Sequence, residues 1–126
     1  MKLLGIILIF LLSAPFITAQ NVIGKWEDNK NIVNYEFRSD SSVVFEQSGY
    51  PVFINSFTLD ETKSPIWIDF YMKMGEREIV IPGLLKMFSE DSIMIEQFTP
   101  FGEHPVKFTD DDTEGMRAQH ILIRLE

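Results

Sequence analysis

Hydrophobic and polar residues alternate along most of this chain with a period of two. In Ile32–Arg38, Val33, Tyr35 and Phe37 share one face, and Asn34, Glu36 and Arg38 share the other. Alternation recurs in Val52–Leu59, Ile66–Met74 and His120–Leu125, and Ile23–Glu27, Val43–Gln47, Glu78–Phe88 and Ile93–Phe98 read as further short strands between turn signals. In Val52–Leu59 the in-phase set is Phe53, Asn55, Phe57 and Leu59; in the last segment it is Ile121, Ile123 and Leu125. Such a period places successive side chains on opposite sides of an extended backbone and predicts strands. Ser39–Ser42, Ser48–Pro51, Asp60–Pro65, Gly75-Glu76 and Ser89–Ser92 separate them, and these residue types supply the backbone freedom that turns need. Leu84–Phe88 is the nearest approach to a helical stripe and is too short for a helix. Gly83, inside a strand pattern, predicts a bulge or a tight bend.

The expectation is an all-β domain of eight antiparallel strands in an up-and-down barrel, since closure removes the free strand edges that invite aggregation. Such a barrel is just wide enough to be filled by side chains or to hold one small ligand. Tyr35, Phe37, Phe45, Phe57, Ile68, Phe70, Ile81 and Ile95 are the expected inward lining, whether they fill the interior or contact a small apolar or amphipathic molecule. The long irregular stretch Thr99–Arg117 is the length of a lid or a binding loop.

Composition adds a processing step and a compartment. Met1-Lys2, the apolar run Leu3–Leu12, the break at Ser13-Ala14-Pro15 and the small residues of Ile17-Thr18-Ala19 have the three-part form of a secretory signal peptide. Pro15 and Thr18 interrupt before the ~20 apolar residues that a membrane span requires. Residues 1–19 are therefore expected to be a leader, and residues 20–126 a soluble domain in the periplasm or outside the cell. The chain has no cysteine, so neither a disulfide nor a lipidated N-terminal Cys is expected. Eleven Phe, two Trp and three Tyr supply the core. A net charge of −8 opposes binding to nucleic acid and to anionic membrane surfaces.

Candidate chemistry is sparse. Alternation in Ile66–Met74 puts Ile66, Ile68, Phe70 and Met72 on one side and Trp67, Asp69, Tyr71 and Lys73 on the other. With the first set inward, Trp67 and Tyr71 form an outward aromatic pair suited to a protein partner. With the strand inverted, Asp69 is buried and needs a partner. Asp60 and Lys63 suit a pair or a turn cap. Asp110–Gly115 imitates the first half of a calcium loop, but the twelfth position is Ile121 where a bidentate Glu belongs. His104 and His120 lack metal-ligand spacing, and no G-x-S-x-G or glycine-rich phosphate loop occurs. No enzyme, metal or cofactor is expected; Asp69 with His104 is the weakest of the functional readings.

Two stretches resemble known families. Gly24-Lys25-Trp26, ahead of a β meander, resembles the G-x-W motif of lipocalins and their calycin relatives. There the Trp closes one barrel end beneath a basic residue of the last strand, a role the resemblance assigns to Arg124, with Arg117 second. Leu59-Asp60-Glu61-Thr62-Lys63-Ser64-Pro65, followed by Ile68-Asp69-Phe70, resembles the L-D-P-T-K-x-P-x-x-I-D-L signature of a bacterial lipocalin-like family of uncharacterised domains. Pro82–Ile93 fits that family's next segment loosely. His104-Pro105-Val106-Lys107-Phe108 fits its R-P-x-x-F segment, with His for Arg. Glu61 in place of Pro, and the acidic insertion after Phe108, depart from the pattern. The resemblance implies a lipocalin-like barrel and carries no activity. The expected function is binding of a small apolar or amphipathic ligand. The alternative is a protein-interaction module that uses Trp67, Tyr71 and the 99–117 loop around a filled barrel.

Overall fold

The computed structural model describes residues 19–28, 33–109 and 118–125. The expected leader up to residue 18, the Asp110–Gly115 loop and Arg117 lie outside the described residues. A single helical turn, α1 (Ala19–Val22), leads into β1 (Gly24–Asp28), β2 (Val33–Phe37), β3 (Val43–Gln47), β4 (Tyr50–Ile54) and β5 (Ser56–Asp60). Then follow β6 (Ile66–Met74), β7 (Arg77–Ser89), β8 (Ser92–Gln97) and β9 (Ala118–Leu125). All pairings are antiparallel, and the nine strands form one sheet in the order β4-β3-β2-β1-β9-β8-β7-β6-β5. Chain neighbours pair along the meander except β4 and β5, which stand at the two borders, and β1 pairs with β9. The sheet is a nearly closed barrel of nine strands, where alternation predicts eight.

The difference lies at Asn55. Val52–Leu59 reads as one strand, but Ile54 and Phe57 both point inward, three residues apart. The alternation slips by one at Asn55 and Ser56, so Phe53 faces solvent at 69% exposure instead of sharing a side with Phe57. The slip lets one continuous segment serve both borders of the sheet. Its first half pairs with β3 and its second with β6. Asn55 N–H donates to the Tyr71 carbonyl (3.0 Å), Lys73 N–H donates to Asn55 Oδ1 (2.8 Å), and Phe57 N–H donates to the Ser41 carbonyl (3.0 Å). These bonds engage backbone groups that an open border would leave unpaired.

Gly83 is not at a bulge. It sits in register between Ile68 and Gln97, and the irregularity in β7 comes later, between Met87 and Ser89. A Cβ at Gly83 would lie 2.8 Å from the Ile68 carbonyl oxygen and 3.0 Å from that of Glu96. The residue is glycine because neighbouring backbones approach too closely for a side chain.

The core is the barrel axis. Tyr35 stacks on Phe37 (centroids 5.5 Å), tilts against Phe45 (4.9 Å) and reaches Phe70 (6.1 Å), while Phe57 meets Phe37 edge-on (5.0 Å). Such aromatic pairs each add about 0.5–1.5 kcal/mol beyond the area they bury. Val33, Val43, Ile54, Ile68, Leu85, Ile93, Ile95 and Leu122 complete the same cluster, all buried.

Candidate functional site

The two ends of the barrel differ. One is sealed. Gly24 has φ +132°, a conformation other residues rarely adopt, and a Cβ there would meet Arg124 Nη1 at 3.0 Å. That turn places Trp26 fully buried, with its Nε1–H donating to the Val22 carbonyl (2.9 Å). The Arg124 guanidinium lies over the indole, 4.2 Å from the ring centroid. It donates to the carbonyls of Ile23 (Nη1, 2.9 Å), Asn21 (Nη2, 2.6 Å) and Glu90 (Nε, 3.1 Å), and Asp91 sits 3.4 Å away. Pairing of Trp26 with Arg124 across β1 and β9 sets this geometry. It is a plug held by a cation over an aromatic face, worth about 1–2 kcal/mol when partly desolvated.

The other end carries no such plug among the described residues, and apolar side chains stand exposed at its rim. The register puts Tyr50 and Val52 on the inward side with Gln47 and Phe45, and puts Met72 and Met74 on the inward side with Ile79 and Arg77. Here the inward face is not covered: Tyr50 is 78% exposed, Met74 60% and Val52 39%. Phe45, Met72, Ile79 and Ile81 are half-buried below them. These side chains stand at hairpin ends beside Ser48-Gly49 and Gly75-Glu76. The in-phase position of Met72 and Met74 follows from the alternation of β6, whereas that of Tyr50 and Val52 is hidden by the slip at Asn55.

A polar layer crosses the interior between these ends. Gln97 Nε2 donates to the Tyr35 hydroxyl, and His120 Nδ1 meets Asp28 Oδ2 at 2.9 Å with both side chains 5% exposed. Burial pushes the Tyr35 hydroxyl well above its ordinary range, against the opposing pull of the Gln97 bond. Asp28 and Gln97 escape sequence reading because a polar residue at an inward strand position carries no local sign of its distant partner.

The outer face carries the rest of the candidate chemistry. Ile68 and Phe70 are fully buried, which settles the orientation of β6: Trp67, Asp69 and Tyr71 face outward. Trp67 is not a bare aromatic. The His104 ring stacks on it at 3.7 Å and 8°, and Lys63 Nζ lies 4.8 Å from its centroid. His104 Nε2 donates to Asp69 Oδ1 (2.7 Å), and its Nδ1 faces the Pro105 carbonyl at 2.8 Å. Asp69 and His104 therefore meet, with both ring nitrogens engaged. Tyr71 Oη lies 3.3 Å from Thr58 Oγ1. Asp60 caps its corner by accepting from Thr62 N–H (3.0 Å) and Thr62 Oγ1, and these bonds hold its carboxyl below the usual range. Lys63 N–H reaches the Asp60 carbonyl (3.4 Å), and the Ser64–Pro65 bond is cis.

Residues 98–109 form a strap over this face. Phe98 N–H donates to the Pro82 carbonyl (2.9 Å). Farther on, Glu96 accepts from Thr109 N–H (3.0 Å), Thr109 Oγ1 and Gln119 Nε2 (2.9 Å). Three donors make burial of this carboxylate tolerable. Leu84 and Pro82 pair with Trp67 and Asp69 on the outward side, yet both are buried. Phe108 is half-buried in the strap, while Phe101 stands 87% exposed.

Of the expected ligand-lining residues, Tyr35, Phe37, Phe57, Ile68, Phe70 and Ile95 are buried in the filled axis, and Phe45 and Ile81 pack partly buried against it. Surface grooves among the described residues lie elsewhere. One, about 360 Å³, is at the sealed end beside Arg124 and Glu90; another, about 390 Å³, is on the outer side of β1–β3 around Lys25, Glu36 and Glu46. Among the described residues no group of three His, Cys, Asp or Glu is placed to hold a metal ion, and no helix is long and apolar enough to cross a membrane. Comparison with protein-family models, with curated proteins and with solved structures finds no match to this chain.

Proposed function

We propose that this chain is an exported, lipocalin-like barrel that binds a small apolar or amphipathic molecule at its open end and is not an enzyme. The observation that carries the reading is the asymmetry of the two ends. Trp26 and Arg124 close one, while Tyr50, Val52 and Met74 face inward at the other and stay exposed. Exposed apolar side chains on the concave side of a barrel rim suit a ligand better than solvent does. The packed aromatic axis makes the site shallow, with the ligand resting on Phe45, Met72 and Ile81 rather than threading the barrel. The resemblance of Gly24-Lys25-Trp26 and of Leu59–Phe70 to lipocalin-like sequences supports the same reading.

Titration with the neutral fluorophore N-phenyl-1-naphthylamine tests it. Saturable binding is expected, weakened about fivefold by Tyr50→Ser or Met74→Ser, the loss of roughly 1 kcal/mol of apolar contact. Absence of saturable binding, or binding indifferent to both changes, overturns the reading. Native mass spectrometry of protein from its own host then reports any co-purified ligand as added mass.

One observation favours a second reading, an interaction surface. On β9, Ile121, Ile123 and Leu125 point outward at 53%, 48% and 42% exposure. Sedimentation of wild type beside Ile121→Lys/Ile123→Lys decides whether this stripe joins two copies: equal, monomeric masses remove self-association.

A further inference from the structure

We infer that the strap of residues 98–109 is a proton-operated cover, held on β6 by His104 as an imidazolium and released when that ring loses its second proton. The hydrogen-bond geometry is the reason. Nε2 faces a carboxylate oxygen, Asp69 Oδ1 at 2.7 Å, and Nδ1 faces a carbonyl oxygen, Pro105 O at 2.8 Å. Both partners are acceptors, so both ring nitrogens donate, and a histidine donates from both only when it is protonated. The ring also lies flat on Trp67 at 3.7 Å and 8°, where a cation is attracted by the indole face and a neutral imidazole much less so. Deprotonation turns one nitrogen into a lone pair aimed at an oxygen. It also removes the charge from the Asp69 contact and from the Trp67 stack together.

The charged groups around the ring come from each element that packs on it. Asp69 on β6 and Asp60, which pairs with Trp67 from β5, carry the opposite charge to the cationic ring, as does neighbouring Glu103 on the strap. Lys63 above Trp67 and Lys107 on the strap carry the same charge. The far anchor is independent of His104: Glu96 holds Thr109 from β8. Release is therefore local. The strap swings from its Glu96 end, and what it uncovers is Trp67 beside outward-facing Leu84 and Pro82, an aromatic and aliphatic strip on an otherwise acidic protein.

Acrylamide quenching of tryptophan fluorescence between about pH 5 and 8 reads the cover directly, because histidine changes charge in that range. Trp26 is fully buried, so Trp67 supplies the accessible emission, and Trp67→Phe provides the background. In the wild type the quenching constant should rise about twofold from the acid to the alkaline limit, as one face of the indole is freed. His104→Arg keeps a permanent cation with several donors and should stay protected throughout. His104→Ala should stay exposed throughout, with its circular dichroism unchanged. A wild-type constant that does not change with pH, a pH-dependent rise retained in His104→Ala, or a His104→Arg variant that opens like the wild type each overturns the proposal.

Discussion

At the sealed end of the barrel Arg124 covers Trp26, reaches three carbonyls and faces Asp91, and the Trp26 indole N–H reaches the Val22 carbonyl. At the opposite end, on the inward faces of β4 and β6, Tyr50, Val52 and Met74 make no such closure among the described residues and remain exposed. One end spends charge and aromatic surface on rigidity; the other keeps apolar surface available. The contrast teaches that a barrel with a filled axis can still leave apolar surface exposed at one rim. Its axis is filled by Tyr35, Phe37, Phe57 and Phe70.

The contrast is sharpest in stability. Trp26→Ala should cost about 3–5 kcal/mol in urea unfolding, because it removes a large fully buried side chain and leaves a cavity that the plug cannot fill. Arg124→Ala should cost about 2–3 kcal/mol by the same measurement, since the cation over Trp26 goes and the carbonyls of Asn21, Ile23 and Glu90 lose a donor. Gly24→Ala should cost about 1–3 kcal/mol, as it strains a φ of +132° and pushes a Cβ against the guanidinium. At the open end, Tyr50→Ser and Met74→Ser should each change stability by no more than about 0.5 kcal/mol while weakening probe binding. Equal losses at the two ends would break the comparison.

The smallest effect concerns the corner at Asp60, whose carboxyl is held below its unfolded value by the Thr62 bonds. A depressed folded pKa stabilises above the unfolded carboxylate range, and the gain disappears as pH falls through the folded value. Asp60→Ala should therefore be slightly less stable than wild type at pH 7, with the gap in urea midpoint closing on acidification. A gap that stays constant down to acid pH would mean that the carboxylate charge is not what holds the corner.

Much of the fold is legible along the chain. Alternation over Ile32–Arg38 marks β2 with one residue more at each end, the run Val43–Gln47 coincides with β3, and glycine and serine clusters mark the hairpins. The count of strands is not legible, because Val52–Leu59 hides the slip at Asn55. Nothing local distinguishes Phe53, which is outside, from Phe57, which is inside, until Ser41, Tyr71 and Lys73 arrive to bond around the bend. The candidate site divides in the same way. The inward phase of the aromatic residues is a property of neighbouring positions. That they fill the axis, and leave the rim to Tyr50 and Met74, depends on how closely the strands approach one another.

Short-range alternation and turn chemistry thus dictate an antiparallel β meander with an apolar inside, since a strand's two faces are a matter of neighbouring residues. Contacts between residues far apart in sequence needed the folded molecule. His104 on Trp67 and Asp28 with His120 join positions 37 and 92 residues apart, and Arg124 on Trp26, 98 apart, is expected only from the family resemblance and not from any local pattern. Their energies arise from distances across the barrel that no local pattern encodes.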